Sequence, residues 1–235
     1  MTALEGAGGA MAPVPAPPRG EGLGFALSAV ALQTVLFVAK FAVLAPLVDP
    51  DNPFKPTPLA FVLCLALEGA GAALVVWLWL GRVGGLSLAR LGWKLSPWSR
   101  NLGEGAAGFL LAALFLLALL AATGADPVQE ARAWLLDPTP ADRALWLLIG
   151  ICAPFTEESV FRGALQPALT RKLGRIAAVA AMAVIFSLYH LPRSPVPFLG
   201  RLLCGLVFGV LRERTGGLLA PWTAHLLVWF VIGTR

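Results

Sequence analysis

Residues 152–162 read Cys-Ala-Pro-Phe-Thr-Glu-Glu-Ser-Val-Phe-Arg, which places Glu157, Glu158 and Arg162 inside sequence that is otherwise fit for lipid. The chain has two histidines, His190 and His225, each in a later apolar run. A charge at the centre of a bilayer costs at least about 2.5–3.5 kcal/mol on insertion scales, so these residues are functional candidates by default. On a helix Glu158 and Arg162 share a face, and Glu157 points about 100° away. That suggests a division of labour: Arg162 holds Glu158, or a substrate carboxylate, while Glu157 faces the reaction centre.

One carboxylate and two imidazoles converging in lipid support two chemistries. Glu157 can deprotonate a water while His190 and His225 donate hydrogen bonds to a tetrahedral oxyanion. Alternatively, Glu157, His190 and His225 can hold a zinc ion whose bound water attacks. The helical zinc motif His-Glu-x-x-His and the nucleophile pattern Gly-x-Ser-x-Gly are both absent from the chain. Depth allows one site. Counted along their expected spans at 1.5 Å per residue, Glu157 lies about 21 Å from one surface. His225 lies about 14 Å, and His190 about 24 Å, from the other. His190 therefore requires a fifth helix that tilts or starts deep. A purely structural cluster of hydrogen bonds and ion pairs is the competing account.

The elements that must position these groups are helices. Of 235 residues, 58% are hydrophobic and 13% charged, about half the charge of a soluble domain. Seven apolar runs, near 24–47, 58–80, 103–123, 143–169, 174–191, 197–212 and 216–233, approach the roughly 20 residues a span needs. No period-2 alternation appears. Only helices and closed barrels satisfy backbone groups in lipid, so the expected fold is an all-α, polytopic membrane bundle of about seven transmembrane helices. Residues 1–22, rich in Ala, Gly and Pro, read as a disordered tail, not a signal peptide. Residues 23–142 form three spans with an interfacial segment near 86–100, where Leu and Trp alternate with basic residues. Residues 143–233 form a four-helix core that carries the polar cluster.

Basic loop residues give the orientation. Ten, from Arg19 to Arg214, fall on one side, and five, from Lys55 to Arg235, on the other with most of the acidic loop residues. The N-terminus is therefore expected in the cytoplasm. Lys40 and Glu68, within the first two spans, are expected to pair as a structural link. Gly205 and Gly209 form a Gly-x-x-x-Gly suited to close helix packing. Cys64, Cys152 and Cys204 lie in apolar runs with no metal-ligand spacing, and read as free thiols acting as small hydrophobes.

Glu157-Glu158-x-x-x-Arg162, then Phe186-x-x-x-His190, then His225 preceded by Arg-Thr-Gly-Gly-Leu at 214–218, resemble the CPBP family. These are the CAAX-protease and bacteriocin-processing intramembrane endopeptidases. The resemblance covers about residues 143–233. It implies a membrane helix bundle that hydrolyses a peptide bond near the C-terminus of membrane-anchored protein substrates, with the site inside the bilayer. It places Glu157 as catalytic base, Glu158 and Arg162 as the rest of the first motif, and His190 and His225 as the two histidines. The family has been described as metal-independent glutamic proteases and as metalloproteases. The glutamic reading, with no cofactor, is favoured because no third strong protein ligand beyond Glu157 is evident; the zinc alternative keeps Glu157, His190 and His225 as ligands. A myxosortase-like branch, which processes C-terminal sorting tails of exported proteins, is a candidate. A bacterial inner membrane is the expected location, the partners are the bilayer and a membrane-anchored peptide, and no nucleic acid is expected. Trp229 stands where the family usually has Asn, and indole donates a hydrogen bond but accepts none. The alternative function is a non-catalytic protein of the same fold, an immunity or partner-binding factor.

Overall fold

The computed structural model describes residues 18–47, 57–126, 128–129 and 140–231. Every regular element among them is helical. Helix α1 (Leu23–Leu44) follows a 3-10 turn at Arg19–Glu21. Helix α2 (Pro58–Ala72) starts with Thr57 as N-cap, its side chain accepting from the Ala60 amide at 3.2 Å, and with Pro58 pre-set for the first turn. It continues without a break as a π-helix, Ala73–Val83. Helix α3 (Leu88–Leu91) ends at Gly92, whose φ of 107° is a left-handed cap. Helix α4 spans Trp98–Ala122. Helix α5 (Pro140–Glu158) runs through a π segment, Ser159–Leu165, into α6 (Gln166–Leu173). The last three helices are α7 (Arg175–Tyr189), α8 (Pro195–Thr215) and α9 (Leu219–Val231).

Each of the seven apolar runs thus corresponds to a helix or helical rod, and the fold is the expected membrane bundle. Four segments, Leu23–Leu47, Leu59–Val83, Trp98–Ala122 and Pro195–Thr215, are long and apolar enough to cross a membrane. Helices α7 and α9 are apolar but short. The α5–α6 rod carries the polar cluster. Burial is inverted relative to a soluble protein: Trp77 and Leu114 are 64% exposed, while Arg162 and Glu158 are 0% exposed. With lipid outside, apolar surface has no reason to hide, whereas a charge does.

Packing brings α4 along α8 and α9, α7 along α8, and α2 and α9 along α5, while α1 lies against the π segment. Small residues set the closest approaches. A Cβ on Gly105 of α4 would lie 2.6 Å from the Thr223 Cβ of α9. The Gly-x-x-x-Gly of α8 does pack tightly on α7: a Cβ on Gly205 would meet Ala183 Cα at 3.0 Å, and one on Gly209 would meet Met182 Cε at 2.9 Å. Replacing Gly205 by Leu should therefore overpack this seam, at a cost of about 1–3 kcal/mol. A lowered melting temperature of the detergent-solubilised protein would register it.

Of the expected N-terminal tail, residues 1–17 lie outside the described residues. Its end is docked: the Gly20 amide donates to Gly84 O at 2.9 Å, and Glu21 pairs with Arg90. Within residues 86–100, Leu91 is buried and Trp93 Nε1 donates to Ser159 Oγ at 2.9 Å, while Leu95 and Trp98 are exposed. Trp93 also packs on Phe155 and Trp222, wedging the segment against the π turn of the rod. Lys40 and Glu68 form an ion pair between α1 and α2. The three cysteines are free.

Candidate active site

The α5–α6 rod supplies the acid groups. Pro154 lies inside α5, where it lacks an N–H to donate, and the next turns widen into the π segment. Thr156 and Ser159 hydroxyls donate back to the Cys152 and Phe155 carbonyls. Single-turn π segments recur at functional sites because the wider turn re-aims the side chains beside it. Here the polar side chains of that turn point into the bundle, with Glu157 3% exposed.

Glu158 and Arg162 pair as their spacing suggests, Nη1 to Oε1 at 3.0 Å. Arg162 Nη2 donates to the Gly205 carbonyl at 3.3 Å, and the guanidinium lies over the Phe186 and Phe208 rings. These contacts enclose Arg162 completely. Of the two contacts open to it from sequence, the structure shows the pairing with Glu158.

The histidines reach the acids from α7 and α9. His190 is the C-cap of α7, with its ring Nδ1 2.9 Å from the Phe186 carbonyl. A carbonyl only accepts, so Nδ1 carries the proton and Nε2 faces away. Nε2 lies 3.8 Å from Glu157 Oε2. His225 Nδ1 contacts Glu158 Oε1 at 2.8 Å, and its Nε2 lies 3.7 Å from the same Glu157 Oε2. Phe208 stacks on the His225 ring at 4.9 Å, and Phe186 sits edge-on to both imidazoles. The ring contacts and the Nδ1 contacts together fix each imidazole in place and turn both Nε2 atoms toward one oxygen.

Glu157 Oε2 is buried and makes no hydrogen bond among the described residues. Distances of 3.7 and 3.8 Å are too long for direct hydrogen bonds and suit a bridging water. With Nδ1 committed, a neutral imidazole presents a lone pair at Nε2: it accepts from such a water and donates to an oxyanion only once protonated. Among the described residues no group of three His, Cys, Asp or Glu side chains forms a set able to hold a metal ion.

Three features of the site flank come from outside the motifs. Lys40 lies over Phe37 and Phe41, and Phe37 packs on Tyr189 and His190, so the Lys40–Glu68 pair acts electrostatically on Glu157. Gln33 Nε2 donates to the Tyr189 hydroxyl at 3.2 Å, tying α1 to the end of α7. Arg201 of α8, which the sequence reading passed over, also acts electrostatically on Glu157 and His190. The signal that singled out Glu157, a charge within an apolar run, was equally present at Arg201. Trp229 packs against Gly150 in an apolar cluster with Phe61, Ile149 and Ala153.

Residues 139–231 match the family model described as Rce1-like, Type II CAAX prenyl endopeptidase Rce1-like. No curated protein and no solved structure matches the chain.

Proposed function

We propose, from the premise that residues 139–231 carry a domain of the Type II CAAX prenyl endopeptidase Rce1-like family, that the protein is a glutamate-dependent intramembrane endopeptidase. The family match supports a membrane protease, and the observation that supports the mechanism is the unpartnered Glu157 oxygen facing two imidazole Nε2 atoms. A water held there gives one proton to Glu157 and directs its other hydrogen to one imidazole. Its oxygen attacks the scissile carbonyl carbon. The second imidazole can donate to the oxyanion that forms only after it takes a second proton from solvent. Collapse of the tetrahedral intermediate expels the amine, which takes the proton from Glu157. Arg162 is a positioning residue: it holds Glu158, and Glu158 holds His225.

The substrate is a membrane-anchored protein cleaved near its C-terminus. The basic-loop asymmetry supports a cell-membrane protein with a cytoplasmic N-terminus. Incubating the purified protein with lipid-anchored peptides of varied C-terminal sequence, and identifying products by mass spectrometry, tests the activity. Cleavage of none of them, with the folded protein present, would count against it.

The steps above are written for the glutamic reading; in the metal alternative Glu157, His190 and His225 would be the ligands. The expected result of treating the enzyme with 1,10-phenanthroline is an unchanged cleavage rate. Loss of cleavage restored by zinc would overturn the glutamic mechanism in favour of the Glu157, His190, His225 metal alternative.

A further inference from the structure

The π turn behind the acids is followed by a proline. The Gln166 amide donates five residues back, to Phe161 O, which is the π register. In that register the next carbonyl, Arg162 O, faces residue 167, a proline with no N–H to give. Arg162 is fully buried, and a buried carbonyl without a donor is costly. The donor comes from α8: Arg212 Nε donates to Arg162 O at 3.1 Å. In an α register the Gln166 amide would reach Arg162 O itself, and the bond from Arg212 would be redundant. Pro167 would then leave Gly163 O without its partner. The contact from Arg212 therefore favours the π register over the α register.

The surroundings hold Arg212 to this task. Its guanidinium lies against Gly92, where a Cβ would stand 3.0 Å from Arg212 Cζ. The next residue, Trp93, donates to Ser159 Oγ, so the α3 cap supports the π turn at a second point. Helix α6 is fastened to α8 as well, with Gln166 Nε2 donating to Gly209 O at 3.1 Å and to Glu213 Oε1 at 2.8 Å. A π turn holds about one residue more than an α turn, so its loss rotates one side against the other by about 100°. With α6 fixed, Glu157 and Glu158 are on the side that turns. We propose that Arg212 is a positioning residue for both carboxylates: it supplies the hydrogen bond that Pro167 cannot, and so keeps the turn in the register that points them at the imidazoles. The path is a series of contacts. Arg212 holds the Arg162 carbonyl, the Arg162 guanidinium holds Glu158 at 3.0 Å, and Glu158 holds His225 at 2.8 Å. The placement stands on these contacts; its effect on cleavage rests on the protease reading.

The test is a mutant cycle on that one bond. Arg212→Met keeps the stem and removes the donor, and Pro167→Ala puts an N–H opposite Arg162 O. The full chain, with isotopically labelled histidine, is held in dodecyl maltoside micelles, where its two histidines give two sets of imidazole NMR signals. In Arg212→Met the His225 Nδ1–H signal, set by Glu158, should move or vanish, while that of His190, held by Phe186 O, should stay. The single-turnover rate on a dansyl-labelled, S-farnesyl peptide ending Cys-Val-Ile-Ala should fall by about 10²-fold, the effect of a misplacement of about 1 Å. KM should change little, since no substrate contact is removed. Combining Pro167→Ala with Arg212→Met should return both readouts most of the way to wild type. An arginine that only fills space would show no such recovery, because Pro167→Ala restores nothing of the lost side chain except a donor. An unchanged His225 signal in Arg212→Met, or a double variant no better than Arg212→Met in signal, rate or fold, would overturn the assignment. The two readings fail separately. A His225 shift with recovery, in a chain that cleaves nothing, would leave Arg212 in place and remove the protease reading, and cleavage with no shift would do the reverse.

Discussion

Replacing Glu157 by Gln should lower the cleavage rate by about 10²–10⁴-fold, the range a positioned general base contributes, while leaving the protein folded. The amide is close in shape to the carboxylate but cannot take a proton from water. Stability should hold for a specific reason: Glu157 Oε2 has no hydrogen-bond partner among the described residues, so the substitution breaks no protein contact there. Its nearest imidazole nitrogens, at 3.7 and 3.8 Å, do not depend on it for anchoring, because each ring is held through Nδ1 by another residue. Single-turnover cleavage of a lipid-anchored peptide, read beside the melting temperature, checks both halves. Wild-type rates in the variant would remove Glu157 from the chemistry.

Arg162 should show the opposite pattern, with the larger effect on stability. Arg162→Ala leaves Glu158 buried at 0% exposure with its cation removed, and opens a hole between the Phe186 and Phe208 rings. Breaking a buried ion pair from one side costs about 3–5 kcal/mol, because the remaining charge has no solvent to turn to. The Gly205 carbonyl loses its donor as well. Replacing both partners by apolar residues of similar volume, Glu158→Leu with Arg162→Met, should recover most of that stability. Activity should not return, since His225 Nδ1 then lacks the carboxylate that orients it. Melting temperatures of the single and double variants, set against their cleavage rates, make the comparison. A double variant as unstable as Arg162→Ala would mean that the pair is not the source of the cost.

Much of the site was legible in the chain. Glu157, Glu158, Arg162, His190 and His225 stand out because a charge or imidazole in apolar sequence is costly wherever the helix points. The Glu158–Arg162 pair followed from helical spacing alone, since four residues close one turn. Lys40 and Glu68 were legible for the same reason as the site residues, though their nearness to Glu157 was not: it arises from α1 packing through Phe37 onto the end of α7. Arg201 carried the same one-dimensional signal, but only the α7–α8 register brings it level with the turn that carries His190.

The sequence by itself determined that this chain is a bundle of membrane helices with one buried acid–imidazole cluster, because apolar run length and the penalty on intramembrane charge are properties of the chain read in one dimension. Only the tertiary structure decided which atoms meet. Hydrogen bonds at Nδ1 turn both Nε2 atoms toward Glu157, and the Gly205 carbonyl and two phenyl rings enclose Arg162. Those outcomes depend on helix depth, rotation and crossing, which the π turn at Ser159–Leu165 and the glycine seam of α8 set, and which no spacing along a single helix specifies.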